Sequence, residues 1–385
     1  MGYLKNIKDN FKLKHYTNYI FVIAALILFV TLSSFGMLGR SNLGLLHRIA
    51  YSVVLAVSLN LVVGFLGELS LGHAGFMCVG AYIGCYFAIV VSKVIANPLI
   101  VIILSMLVGG LVAAVFGFII GLPALRLKGD YLAIVTLAFG EIVRNVFKNL
   151  QLFGGARGMQ TSAISYNAKE LYIISFFVVL AMLSLVQNLI RSKHGRAITA
   201  IRDNEIAARA MGINVTYYKL FVFVISAFFA GVAGVMYGFQ VSPIEQSFFS
   251  YNYSIEILVM VVLGGMGNIG GSIIAATLIT YINFFLQDQL TGSLAALKLL
   301  IYAIILILVV VFSNAPALKP LRERFNLKAI VRKITKTHEK PDQIADDEAE
   351  WNRVETKIKM DELLSVELQN SKAYTPDRKS NKEDK

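Results

Sequence analysis

Five stretches of this chain are long enough to cross a membrane as helices and contain no Asp, Glu, Lys or Arg: residues 19–38, 99–125, 171–190, 220–244 and 299–317. A helix needs roughly 20 apolar residues to span a hydrocarbon core of ~30 Å. Three more stretches, 44–63, 74–95 and 131–150, qualify with polar edges. A backbone in lipid must satisfy its hydrogen bonds internally, so repeated runs of this length confine the fold to a helical bundle. Composition points the same way. Of 385 residues, 56% are hydrophobic and 16% charged, against roughly 25% charged in soluble domains. A soluble enzyme of one to three domains is excluded.

Residues 257–287 form a further run of 31 residues without a charge. As one helix it would rise about 46 Å, too long for a single comfortable crossing. The cluster GGMGNIGG at 264–271 interrupts it. Two short elements are expected, about 253–266 and 270–287, forming either a tight pair of spans or a re-entrant hairpin. Counting a pair, the fold class is an all-α polytopic membrane protein of about ten transmembrane helices, some broken at glycine clusters. The first run follows Lys5, Lys8, Lys12 and Lys14 and so resembles a signal peptide. Its apolar core of about 20 residues exceeds a signal core of ~7–15, which predicts an uncleaved first span.

The net charge of +12 would suggest nucleic acid in a soluble protein. Residues 318–385, however, hold 16 of the 36 Lys and Arg and 14 of the 24 Asp and Glu. Along the rest, basic residues cluster in 1–18, 126–130 and 191–219, on one side of a ten-span arrangement. The positive-inside bias then gives an N-in/C-in orientation. The expected organisation is a basic cytoplasmic N-terminus (1–18), a transmembrane domain (19–317) containing a cytoplasmic loop (191–219), and a charged, partly disordered tail (318–385). Nucleic acid drops out as a partner, and the lipid bilayer takes its place. Cys78 and Cys85 lie about 10 Å apart along a helix axis, beyond disulfide reach, and read as structural thiols. No Cys/His cluster has metal-ligand spacing.

Polar chemistry concentrates in three places. Segment 191–219 is the longest polar insertion between spans before the tail. It offers Asn204 as a helix cap and Gly212 as a stop. Its spacing E-x-A-A-x-x-x-G (Glu205, Ala207, Ala208, Gly212) describes a short surface helix that a partner's groove would accept, or an ordinary positive loop. In 131–150, Glu141, Arg144 and Lys148 share one helix stripe, with Glu141–Arg144 a pair that either marks a pathway or gate or simply anchors the helix. Finally, two glycine-interrupted stretches, LVVGFLGELSLGHAGFMCVGAYIG at 61–84 and VVLGGMGNIGGSIIAA at 261–276, occupy opposite halves of the membrane body. Gly64/Gly67 and Gly264/Gly267 share a G-x-x-G. Paired broken helices point to a transporter's substrate site, since interrupted backbone survives only where it lines protein or water. Asn60, Glu68, Ser70 and His73 cluster beside the first stretch, and Gly265 belongs to the second. Gly80/Gly84, Gly117/Gly121 and Gly234/Gly238 read instead as close helix packing. The match of 265–270 to G-x-G-x-x-G lacks a soluble βαβ unit and carries no nucleotide reading. No phosphate-binding G-x-x-x-x-G-K-[ST] occurs, so any ATPase would be another polypeptide.

Four separated segments carry a family resemblance: LNLVVGFLGELSLGHAGF (59–76), RLKGDYLAIVTLAFGEIVR (126–144), GRAITAIRDNEIAARAMGINVTYYKLFVF (195–223) and ILVMVVLGGMGNIGG (257–271). In order and spacing they resemble the LivM-type permease family of branched-chain amino-acid ABC importers, over roughly residues 45–315. The resemblance implies about ten spans, import of branched-chain or other hydrophobic amino acids delivered by an extracytoplasmic binding protein, a second, LivH-like permease subunit, and two cytoplasmic ATPase subunits that hold ATP and Mg. This chain would bind no cofactor and be no enzyme. The resemblance also makes Arg202, Asp203, Glu205, Ala208 and Gly212 the candidates for coupling to the ATPase. Asn60, Gly64, Gly67, Glu68, Ser70, His73, Glu141, Arg144, Gly264, Gly265 and Gly267 become candidates for the solute pathway. Glu68 stands where the family often has Gln, and Phe153 in FGGARG replaces a usual Thr. Rival readings are a urea, short-amide or sugar permease of the same superfamily, or an ion-coupled secondary transporter using Glu141 or Glu256. A helix is possible in the tail between Ile344 and Asn370.

Overall fold

The computed structural model describes residues 39–289 apart from 96, 128 and 162–167, together with Val22, Ile304 and Ile307. The chain divides into two compact units, Met1–Ser313 and Asn314–Lys385, and every described residue belongs to the first. The expected spans 19–38 and 299–317 and the tail, with its expected helix, therefore lie outside the described residues.

Among the described residues the α-helices in chain order are α1 (Arg40–Asn60), α2 (His73–Val91), α3 (Pro98–Ala124), α4 (Asp130–Asn149), α5 (Ala168–Arg191), α6 (Lys193–Asp203), α7 (Glu205–Ala210), α8 (Val215–Gln240), α9 (Tyr251–Gly264) and α10 (Ile269–Gln289). Several starts are set by side chains that accept the backbone N–H groups a first helical turn leaves unpaired. Asn97 caps α3, with Pro98 at its first position; Ser192 caps α6, Asn204 caps α7 and Asn214 caps α8.

Among the described residues, six helical segments are long and apolar enough to cross a membrane: Ser41–Leu66, His73–Val91, Pro98–Ala124, Glu170–Arg191, Val215–Gln240 and Ile269–Leu286. The protein is thus an all-helical, multi-pass membrane protein. The stretch expected as a span at 131–150 does form α4, but Asp130, Glu141, Arg144 and Lys148 set it apart from those six. The run 257–287 splits at its glycines as expected, into arms of unequal length. With 14 residues, α9 rises only about 21 Å, short of a full crossing. It follows segment 241–250, whose Ile244 and Phe249 pack into the interior.

Helices α2, α3 and α8 pack against one another, while α1 lies against α5, α8, α9 and α10. Small residues bring the first three together. A Cβ on Gly80 would strike the backbone of Gly231, and one on Gly234 would strike the Met77 carbonyl. Without a hydrophobic driving force between helices in lipid, such close backbone approach supplies the packing energy. Cys78 and Cys85 are buried free thiols on α2.

This contact predicts that Gly234→Val forces α2 and α8 apart at a cost of about 1–3 kcal/mol. The melting temperature of the purified protein in detergent should fall. It should not move for Gly39→Ala, where an added Cβ meets nothing within 4 Å.

Candidate functional site

The first glycine stretch breaks the helix after Leu66. The end of α1 widens into a π-helical turn, Leu61–Leu66, and closes at Gly67, whose φ of +81° places it in the left-handed region that favours glycine. Both Gly67 and Glu68 return their N–H groups to the Val62 carbonyl. The Gly64 carbonyl, which a continuing α-helix would have paired with the N–H of residue 68, is taken by a side chain from far along the chain: Arg202 Nη1 donates to it at 3.1 Å. The stem of Arg202 also lies where a Cβ on Gly67 would fall.

The second glycine stretch forms the turn between α9 and α10. Gly265 and Gly267 have φ of +88° and +79°, and Gly264 meets Gly271 so closely that neither has room for a Cβ. Asn60, fully buried at the end of α1, joins the two breaks. Its Oδ1 accepts from the Gly267 N–H at 2.8 Å, and its Nδ2 donates to Ser272 Oγ at 2.9 Å. Gly64 allows this approach, because a Cβ there would overlap both Asn60 Oδ1 and the Gly267 backbone.

A buried cation ties in the polar segment. Lys219, in the second turn of α8, is 4% exposed. It donates to Glu68 Oε1 at 2.5 Å and to Glu205 Oε2 at 3.1 Å. The other oxygen of Glu205 accepts from Arg209 Nη2 at 2.9 Å. Arg202 grips Asp203 Oδ1 through Nε and Nη2, at 3.0 and 2.9 Å. Helix α7 stops at Gly212, φ +82°, where Ile213 N donates to the Ala208 carbonyl at 3.1 Å. Ala208 turns inward and is buried, whereas Ile206 and Met211 are 80% and 82% exposed. The polar segment thus has one face bonded to the first glycine break and to Lys219, and another face that is exposed.

The structure therefore gathers Asn60, Gly64, Gly67, Glu68, Arg202, Asp203, Glu205, Gly264, Gly265 and Gly267 at one end of the bundle. Ser70 and His73 lie beside them in different roles. His73 Nε2 is 2.8 Å from Ser58 Oγ. Ser70 Oγ is buried and makes no hydrogen bond among the described residues. The connection between α1 and α2 is braced from other elements: Leu71 N donates to Thr136 Oγ1 on α4, and Ala74 N to Ser254 Oγ on α9, both at 3.0 Å.

Glu141 and Arg144 belong to the opposite end of α9. Arg144 donates through Nε and Nη2 to Glu141 Oε2, at 2.9 and 2.6 Å, and the N–H of Tyr251 donates to Glu141 Oε1 at 3.0 Å. The carboxylate thus caps the first residue of α9, where negative charge is favoured. Glu256 lies within α9 and accepts from Asn283 Nδ2 on α10. Lys219 escaped the sequence reading except as a basic residue of the 191–219 loop. A lone lysine entering an apolar run was its only signal.

Residues 41–310 match the family described as "Branched-chain amino acid transport system / permease component". The chain belongs to this family. The permease is 33% identical over 287 residues to the high-affinity branched-chain amino acid transport system permease protein LivM of Salmonella typhimurium, covering 66% of this chain and 65% of that protein. It is 32% identical over 304 residues to the Escherichia coli LivM, covering 70% and 68%. To the ribose import permease protein RbsC of Haemophilus influenzae it is 27% identical over 261 residues, covering 63% and 75%. The permease thus spans about two thirds of the length of the two LivM relatives. No solved structure matches it.

Removing the Asn60 side chain leaves the Gly267 N–H without its acceptor inside the bundle. Asn60→Ala is predicted to cost roughly 1–3 kcal/mol, the penalty of an unsatisfied buried group. The melting temperature in detergent should drop, and the Gly267 amide should lose protection from hydrogen exchange.

Proposed function

We propose that this chain is the membrane-spanning permease subunit of an ABC importer. It would move branched-chain or other hydrophobic amino acids handed over by an extracytoplasmic binding protein. A second, LivH-like permease completes the channel, and two cytoplasmic ATPase subunits bind ATP and Mg and perform the hydrolysis. The chain itself is a transport subunit and not an enzyme. It sits in a bacterial-type plasma membrane, with both termini and the α6–α7 segment on the cytoplasmic side.

The observation that carries this reading is the two-faced segment α6–α7. Ile206 on α7 and Met211 just after it project outward, while the inner side of the segment is bonded through Arg202 to the Gly64 carbonyl and through Glu205 to Lys219, which also holds Glu68. A docked ATPase would press on the outer face, and the inner face would pass the displacement on. Asn60 holds the two glycine breaks together, and on this reading they line the solute pathway, with the buried Ser70 hydroxyl beside them.

An ion-coupled transporter would need an embedded carboxylate available for protonation. Both candidates are engaged, Glu141 by Arg144 and the α9 N-terminus, Glu256 by Asn283. Sugar import is favoured by one observation, the similarity to a ribose permease.

Uptake assays on proteoliposomes holding the complete complex separate these readings. Labelled leucine, isoleucine and valine should accumulate with ATP inside, while ribose and urea should not. Uptake that follows an ion gradient without ATP would refute the importer reading. Ile206→Glu and Met211→Glu alter only the outer face. They should stop ATPase subunits from co-purifying and lower uptake, with folding stability changed by no more than about 0.5 kcal/mol.

A further inference from the structure

Lys219 falls within segment 195–223 but outside the coupling candidates named there, yet it is the most deeply buried charge at the node. Its two anionic partners come from different elements. Glu68 follows the first glycine break, and Glu205 opens the coupling helix α7. Arg202 has the same divided allegiance: Nη1 holds the Gly64 carbonyl in the break, while Nε and Nη2 hold Asp203 in the polar segment.

We propose that Lys219 and Arg202 form an electrostatic latch that passes movement of the α6–α7 segment to the two glycine breaks. This deepens the importer reading and rests on it. In the arrangement seen, Lys219 holds Glu68 and Glu205 together. If an ATPase draws α7 away, Glu205 remains paired with Arg209, already bonded to its second oxygen, and Lys219 remains paired with Glu68. No charge is stranded in the interior, which would otherwise be strongly opposed. The latch therefore has a second arrangement that strands no buried charge, as an element that transmits a displacement requires. Arg202 acts with it by pulling on the Gly64 carbonyl, in a turn that its own helix does not hold. Gly64 abuts Asn60 and Gly267, so the pull reaches the α9–α10 turn.

In this account Lys219 is a positioning residue, so its test must read coupling and not only transport. The measured quantity is leucine imported per ATP hydrolysed, in proteoliposomes containing this chain with its partner permease, ATPases and binding protein. Lys219→Met keeps the length of the side chain and removes its charge. Import per ATP should fall about tenfold, while hydrolysis continues. An unchanged ratio in an assembled Lys219→Met complex would overturn the latch while leaving the importer reading intact. If Lys219→Met fails to assemble, Lys219→Met combined with Glu68→Gln serves, since Glu205 keeps Arg209 and no charge is left at position 68: it should be equally uncoupled, and a wild-type ratio in it would overturn the latch. Absence of ATP-dependent leucine import by the wild-type complex would instead refute the importer reading, and the latch with it.

Discussion

Backbone polar groups inside a membrane protein have no water to turn to, and every break in a helix must be repaired from elsewhere in the chain. Both glycine breaks of this permease obey that constraint in the same place. The Gly64 carbonyl is repaired by Arg202, and the Gly267 N–H by Asn60. The repairs are what join distant parts of the sequence. Asn60 lies 207 residues from Gly267, and Arg202 lies 138 residues from Gly64. A broken helix is therefore also a helix wired to its surroundings, and the place where the chain is weakest is where α1, α8, the α9–α10 turn and the polar segment converge.

Charge adds a second layer. Lys219 is deeply buried, and its ammonium group is stabilised only because two carboxylates reach it. A buried pair gives little net stability compared with apolar packing, but breaking it by removing one partner is costly. Its value here is that it specifies an arrangement. At the far end of α9, Glu141 does similar work on a smaller scale, binding Arg144 and the first N–H of α9. The short helix is held at both ends, by Glu141 and by the turn that Asn60 grips.

Much of this was legible from local sequence. Run length and the absence of charge marked the long helices, and the glycine cluster at 264–271 marked the turn between α9 and α10. Asn204 and Gly212 bounded α7 as their chemistry suggests, because capping depends on neighbouring residues alone. Glu141 and Arg144 paired because three residues along a helix puts them on one face. What local pattern could not supply were the long-range partners. Nothing near Lys219 names Glu68, 151 residues away, and nothing near Glu68 shows that its charge faces a lysine. His73 stood beside the polar cluster in sequence but turns to Ser58. Span count was also limited by chemistry. The charges of α4 and the shortness of α9 leave six helices, among the described residues, that meet the requirements of length and apolarity.

The central claim is that displacement of the polar segment is passed on to the second glycine break. Spin labels placed at Ile206→Cys, Met266→Cys and Leu152→Cys, all exposed positions, would report it by pulsed distance measurements on the assembled complex with and without ATP. The account predicts that the 206–152 and 266–152 distances both change on ATP binding. A shift of position 206 on ATP binding with the 266–152 distance unchanged would contradict it.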